Sequence, residues 1–520
     1  MTAWKYALAA LAMVATQPLV AQMEPVPARA ADEGEGPFGK LLIRGATVIE
    51  GSGAPPAGPI DIMVEGNRIA ALYPGGAPAA EAQDVQRVID AKGMYILPGF
   101  VDVHGHNGDA SKAPQPSYGY KLWLAHGVTT VRGVRFYFGP DTPDLSDARR
   151  SAANTITAPR LIPYAVFGDK WSRGAPDTPT EAREWVRWAK AQGYWGVKFF
   201  NGYSPAVFAA AFDEAEKQQM GTVAHLAQTG VAEVNARKAV ELGLDDVTHF
   251  YGHFESLLKD AALPYYPEDY NYFDEQSRFA WVARLAPQAV EPGSETWDDY
   301  VDLLIESGVT LSPTFNIYAA SRDVMRARGF DWHARYTLPS LMDFYAPSAT
   351  NHGSYYKDWT SEDEVEWRNF YAKWFALTKD FHDRGGRVTA GSDPGYIYQT
   401  WGFAYIGELE MLREAGLSPL AVIRAATLDG ARALYEPLGE EPPMGRIAVG
   451  QLADLVIVPE NPLANLKVLY GTGHTRLNRE TGVIEQVGGV RWTIKDGIVY
   501  DAPQLLADVA RMVAEQEAAR

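Results

Sequence analysis

Eight short apolar runs, alternating with amphipathic stretches and carrying polar residues at or just past several of their ends, dominate the middle of this 520-residue chain. They occupy residues 95–104, 128–134, 161–167, 196–200, 222–226, 246–250, 309–315 and 387–391. Between and after them, residues 180–192, 205–219, 231–242, 361–383, 403–415 and 419–435 repeat apolar side chains at helical spacing. A buried strand followed by a covering helix is the βα unit of a parallel sheet, and eight such units close a (β/α)8 TIM barrel. The fold class expected is therefore α/β. Branched residues punctuated by glycine and proline at 41–49 and 60–72, and again at 453–458, 487–493 and 497–500, predict strands at both ends of the chain. A small β domain assembled from the two ends is expected to flank the barrel.

Residues 1–21 have the pattern of an export signal: Lys5, an apolar run over 6–15, and Leu19-Val20-Ala21 before a cleavage point, with Ala28-Arg29-Ala30 as a second possible one. The protein is thus expected to be periplasmic or secreted. That run is shorter than the ~20 residues a spanning helix needs, and no transmembrane segment is predicted. Residues 22–39 read as a linker, 40–92 as the first part of the β domain, 93–437 as the barrel, 438–500 as the second part of the β domain, and 501–520 as a helix capped by Asp501 and Pro503. Two connections, 252–308 and 316–386, are too long to be turns. Nine of the 40 residues from 261 to 300 are aromatic, which suits either a wall over the substrate or a folding or oligomer surface.

Lys plus Arg total 47 against 65 Asp plus Glu, a formal charge of −18 that argues against a nucleic-acid partner. There is no cysteine, so any metal must be held by nitrogen and oxygen. Only ten histidines occur, and four end strands. His104 and His106 close the first run, where alternate residues face one side and Gly105 leaves room between them. His225 and His249 end the fifth and sixth runs, Lys198 lies in the fourth, and Asp393 follows the eighth. Catalytic residues of barrels come from such strand ends. A buried lysine favours its neutral amine, which can take up carbon dioxide as a carbamate. The plainer alternatives are a lysine paired with an acid and satisfied core histidines.

Three phrases add to these positions: Gly-Met-Tyr-Ile-Leu-Pro-Gly-Phe-Val-Asp-Val-His-Gly-His from Gly93, Gly-Val-Thr-Thr-Val-Arg from Gly127, and Gly-Arg-Ile-Ala-Val-Gly-Gln-Leu-Ala-Asp-Leu-Val-Ile-Val from Gly445. With them the chain resembles the amidohydrolase superfamily, in its imidazolonepropionase-like and Xaa-Pro-dipeptidase-like branch. The resemblance implies a metal-dependent barrel with a small β-sandwich built from both chain ends. It makes His104, His106 and Asp393 ligands of one divalent ion, His225 and His249 ligands of another, and carboxylated Lys198 their bridge, with Zn2+ the metal expected. Relatives often carry an acid where this chain has Gly133.

The function expected is hydrolysis of an amide or peptide bond in a dipeptide or N-acyl amino acid by a metal-bridging hydroxide, with Asp393 moving the proton. A lactone, cyclic amide or ester hydrolase on the same site is the alternative, and a non-catalytic scaffold of the same fold is the reading from another class. Tyr251 and His253, directly after His249, and Tyr203, after the fourth run, are candidates for binding the substrate. The remaining histidines, His126, His333, His352, His382 and His474, match no ligand position and read as structural or exposed. The partner expected is a small molecule or short peptide, and the resemblance implies a homo-oligomer.

Overall fold

The computed structural model describes residues 23–137, 142–348 and 352–520; the expected export signal lies outside them. Five strands open the described chain: β1 (Lys40–Val48), β2 (Ala57–Glu65), β3 (Arg68–Pro74), β4 (Arg87–Asp90) and β5 (Tyr95–Pro98). Eight parallel strands follow: β6 (Phe100–Gly105), β7 (Val128–Gly133), β8 (Arg160–Val166), β9 (Gly196–Phe199), β10 (Gly221–Ala224), β11 (Asp246–Thr248), β12 (Thr310–Ser312) and β13 (Arg387–Val388). They pair in sequence order, and the ring is closed across its seam by Val103 N–H donating to Ala390 O at 3.0 Å and Asp393 N–H to His104 O at 2.8 Å. The last stretch of chain adds β14 (Leu455–Val458), β15 (His474–Leu477), β16 (Ile484–Val487), β17 (Trp492–Lys495) and β18 (Ile498–Asp501).

The barrel strands are almost wholly buried because helices cover them outside. Local sequence starts those helices. Pro179 and Pro205 sit in the first turns, while the Thr178 and Ser204 side chains accept from Glu181 N–H and Val207 N–H. Thr360 and Asp363 form a reciprocal capping box on the helix Ser361–Asp383.

The two chain ends do build one β domain: β18, β17, β14, β5, β1, β2 and β3 form a single sheet in that order, with β4 also on β1. The run expected as one strand over 95–104 is divided between this sheet and the barrel. Gly99 marks the division, since a Cβ there would stand 2.2 Å from Thr129 Oγ1. The run at 487–493 likewise breaks, because Gly488 and Gly489 take φ of +78° and +89° between β16 and β17. The helix expected over 231–242 shortens to Ala236–Glu241, where the Asn235 side chain caps Lys238 N–H at 3.0 Å. Residues read as a linker are tied down instead: Val26 is buried, Arg29 Nε donates to Asn154 O at 3.1 Å, and Glu35 bridges to Val499.

The two long insertions interlock over the end of the barrel where its strands finish. Trp367 Nε1 donates to Phe279 O at 3.1 Å, Trp359 Nε1 to Gln276 O at 3.1 Å, and Arg284 pairs with Asp363 at 3.0 Å. Among the described residues no helix is long and apolar enough to cross a membrane.

Candidate metal centre and its cavity

The strand ends converge on one cavity of about 520 Å³, lined by His104, His106, Lys198, His225, His249 and Asp393. Asp393 is the hub. Its Oδ1 lies 3.1 Å from His106 Nε2 and 3.8 Å from His104 Nε2, and its Oδ2 lies 3.7 Å from His249 Nε2. His104, His249 and Asp393 offer atoms within 4.8 Å of one another, a group able to hold a metal ion. The His249 ring stands 4.8 Å from that of His104 and 4.7 Å from that of His225, so it joins its expected co-ligand His225 to the other expected set.

Hydrogen bonds on the far side of three rings fix their tautomers. His106 Nδ1 is 2.8 Å from Arg135 O, a carbonyl that can only accept, so Nδ1 carries the proton. His104 Nδ1 meets Thr248 Oγ1 at 2.9 Å, and that hydroxyl spends its own proton on Ser312 O. His249 Nδ1 meets Thr314 Oγ1, whose proton goes to Pro313 O. In the neutral rings each Nε2 therefore presents a lone pair toward the Asp393 carboxylate. Acceptors facing an acceptor at 3.1 Å make sense with a cation among them, which is the donor set of a divalent metal site. Burial holds His104, His225 and His249 well below the usual imidazole range, keeping them neutral as ligation requires.

Lys198 fits the same centre. It is 2 % exposed, and its Nζ is buried with no hydrogen-bond partner among the described residues. Burial lowers its pKa to about 7, with Asp393 opposing. A charged ammonium left so bare would be costly.

The backbone that places these groups is itself constrained. Buried Asp102 clasps both sides of the seam: Oδ1 accepts from His104 N–H at 3.1 Å and Ser392 N–H at 2.9 Å, and Oδ2 from Trp123 Nε1 at 3.0 Å and from Ser392 Oγ. Burial pushes its carboxyl up to about 6. A Cβ on Gly391 would lie 2.8 Å from His104 Cβ, so only glycine lets the seam close there. His249, Thr314 and Asp393 adopt left-handed φ of 66°, 51° and 44°, uncommon for such residues and typical of functional sites.

Of the three residues expected to bind substrate, the structure brings one to the cavity. Tyr251 stacks on His225 at 4.2 Å, and its hydroxyl accepts from Tyr318 at 3.2 Å, keeping its own proton for another oxygen. His253 does not line the cavity: it is buried with Nδ1 on Tyr300 Oη at 2.6 Å. Tyr203, in the loop after β9, is also elsewhere, donating to Phe167 O at 3.1 Å. Both follow a strand end in sequence, but the chain has turned away by the time it reaches them.

His352, read as structural or exposed, faces the cavity with Nδ1 2.6 Å from Glu275 Oε2. Sequence reading also missed Arg278 and Glu275 of the first insertion and Lys112 in the loop after β6, whereas Tyr272, which joins them in the lining, belongs to the aromatic stretch expected to suit a wall over the substrate. The aromatic density of 261–300 pointed to the stretch that also holds Arg278 and Glu275; nothing in the sequence pointed to Lys112. Gly133, where relatives often carry an acid, has no room for one, since a Cβ would stand 2.1 Å from the Phe136 ring.

An amidohydrolase family model matches residues 95–478, and the chain belongs to the amidohydrolase family. Over 140 residues it is 36 % identical to the N-acyl-D-aspartate deacylase of Alcaligenes xylosoxydans xylosoxydans, covering 27 % of this chain and 26 % of that one. Over 67 residues it is 46 % identical to the D-hydantoinase of Streptomyces coelicolor (strain ATCC BAA-471 / A3(2) / M145), covering 13 % and 14 %. These matches thus span about a quarter or less of the relatives' lengths. The fold is similar to that of a Xaa-Pro dipeptidase crystallised with methionine in its active site, at TM-score 0.58 and 18 % identity over 89 % of this chain and 100 % of that one.

Proposed function

We propose that the protein hydrolyses an amide or peptide bond in a small substrate of the dipeptide or N-acyl amino acid type, at a centre of two divalent ions, most simply Zn2+. The observation that carries this reading is the set of three Nε2 lone pairs turned on Asp393 beside a buried, unpartnered Lys198. His104, His106 and Asp393 would hold one ion and His225 and His249 the other. Lys198 Nζ would add to carbon dioxide, lose a proton and present the resulting carboxylate to both. Bound divalent ions supply Lewis-acid activation of water and of the scissile carbonyl at neutral pH.

The protein's own groups do the rest. Asp393 accepts the proton of the attacking water and passes it to the departing nitrogen. Tyr251 donates its free hydroxyl proton to the substrate oxygen, where negative charge develops. The interlocked insertions cover the centre and limit water. The named activities of the deacylase and dipeptidase relatives agree with amide chemistry. The N-terminal pattern supports an exported enzyme.

The test is a screen of zinc-loaded protein against dipeptides, N-acyl amino acids and lactones, run beside Asp393→Asn. Amide turnover that the variant loses while keeping most of its metal is the expected result. Turnover confined to lactones or esters would overturn the reading.

A further inference from the structure

Three cationic side chains other than the candidate ligands line the cavity: Lys112, Arg135 and Arg278. Arg135 pairs with Asp169 at 3.2 Å. Lys112 Nζ donates to Gly395 O at 2.9 Å and is boxed by the Tyr396 and Phe344 rings, 3.4 and 4.3 Å from their centroids. Arg278 differs from both. Its one hydrogen bond among the described residues runs from Nη2 to Glu275 Oε1 at 3.0 Å, and Glu275 is shared with His352 at 2.6 Å. Nε has no partner and Nη1 makes no hydrogen bond to a described residue.

The guanidinium is held in place rather than free to leave. It lies 5.0 Å from the Tyr272 ring and 4.7 Å from the Phe279 ring, and its side chain is 15 % exposed. Glu275 and Arg278 sit on one helical face, and His352 of the other insertion fixes Glu275. Phe279 beside it packs on Tyr318 at 6.1 Å, the Tyr318 hydroxyl donates to that of Tyr251 at 3.2 Å, and Tyr251 stacks on His225 at 4.2 Å, which ties the guanidinium to that side of the centre. A planar fork with covered faces and free N–H groups at its edge matches one chemistry best, the two oxygens of a carboxylate.

We infer that Arg278 is the carboxylate-binding residue of this cavity, and that the amide hydrolysed here carries a free carboxylate seated on the His225 and Tyr251 side of the centre. This deepens the proposed amide hydrolysis and rests on it for the kind of substrate, but not for the binding of the anion. The carboxylate can belong to the amine fragment, as in an N-acyl amino acid, or to the acyl fragment, as in the monoamide of a dicarboxylic acid. Arg278 is a specificity-determining group in either case, and the site would reject the matching neutral amide because its largely covered fork would be left unpaired.

The experiment uses the metal-loaded full chain, its Arg278→Gln and Arg278→Lys variants, and Lys112→Met for comparison. Substrates are N-acetylmethionine in both enantiomers and glutaric acid monoanilide, each beside its carboxamide. The wild type should prefer at least one acid over its carboxamide by roughly 100-fold in kcat/KM. Arg278→Gln should remove that preference, through a higher KM for the acid and a gain for the carboxamide that no longer meets an unpaired fork, while Arg278→Lys, which keeps charge without the fork, should recover part of it.

Calorimetric titration of the same proteins with methionine and with glutarate, in place of turnover, keeps the two readings apart. At least one of these should bind the wild type tenfold or more tightly than Arg278→Gln. Absence of amide turnover with this binding difference intact would sink amide hydrolysis and uphold Arg278. Equal binding to both proteins, an acid preference that survives in Arg278→Gln, or one that collapses only in Lys112→Met, would overturn the assignment. Should Arg278→Gln fail to fold, as shown by its circular dichroism, the Arg278→Lys variant carries the same comparison: full wild-type preference in it would be the negative result.

Discussion

Replacing Thr248 by valine isolates the tautomer argument from the ligands themselves. Thr248 is buried, is not among the residues lining the cavity, and differs from valine by one hydroxyl in place of a methyl. That hydroxyl accepts His104 Nδ1–H at 2.9 Å and donates to Ser312 O at 3.2 Å. Without it, a buried N–H loses its acceptor, a loss worth ~1–3 kcal/mol. The imidazole can escape by moving its proton to Nε2, where Asp393 Oδ1 waits 3.8 Å away. The metal-free site then gains what a bound ion would have to undo. At ~1.4 kcal/mol per decade the expected loss is about 5- to 150-fold in metal affinity, in line with the roughly 10–100-fold typical of groups that orient a ligand. Competitive chelator titration of the metal-free protein measures it, with melting curves to separate stability from affinity. Thr248→Ser should stay near wild type. If Thr248→Val binds metal within threefold of wild type, the hydroxyl does not set the His104 tautomer and the reasoning fails.

Two further perturbations test the scaffold. Buried Glu408 accepts Asn316 N–H at 2.9 Å, and burial raises its pKa from 4.5 to about 8. The protonated acid is favoured in the folded state, so its stabilising contribution is full below pH 4.5 and lost as pH rises through 8, by roughly 5 kcal/mol at most. Wild-type Tm should therefore fall between pH 5 and pH 9 more steeply than that of Glu408→Gln; parallel curves would refute the assignment. Gly133→Asp should lower stability by about 1–3 kcal/mol through overpacking against Phe136, and Phe136→Ala should relieve part of that loss in the double variant. Denaturant melts of the three proteins decide, and strict additivity would exclude a clash.

The barrel, and the convergence of the six strand-end residues on one cavity, were legible because both depend on local pattern. Buried strands write apolar runs, and polar residues at their ends can only be functional or unusually well satisfied, as His104, Lys198 and Asp393 illustrate. The division of 95–104 was hidden because Gly99 interrupts a run whose halves are equally apolar. His253 and Tyr203 misled for the opposite reason: adjacency to a strand end fixes direction for one or two residues only, after which tertiary packing decides. His352 and Arg278 were illegible as a pair, since they reach one cavity from insertions whose docking is set by contacts such as Trp367 with Phe279. Thr248 and Thr314 carried no signal of their own; a hydroxyl that fixes a tautomer looks like any strand-end threonine until its partners are known.

Metal content is the direct test of the binuclear centre. Protein produced with zinc and bicarbonate, desalted and measured by inductively coupled plasma mass spectrometry against its chain concentration, should hold two ions per chain, and Lys198→Met should hold one or fewer. An active wild-type protein with less than one ion per chain, or a Lys198→Met variant that keeps two and full activity, would contradict the centre proposed for His104, His106, Lys198, His225, His249 and Asp393.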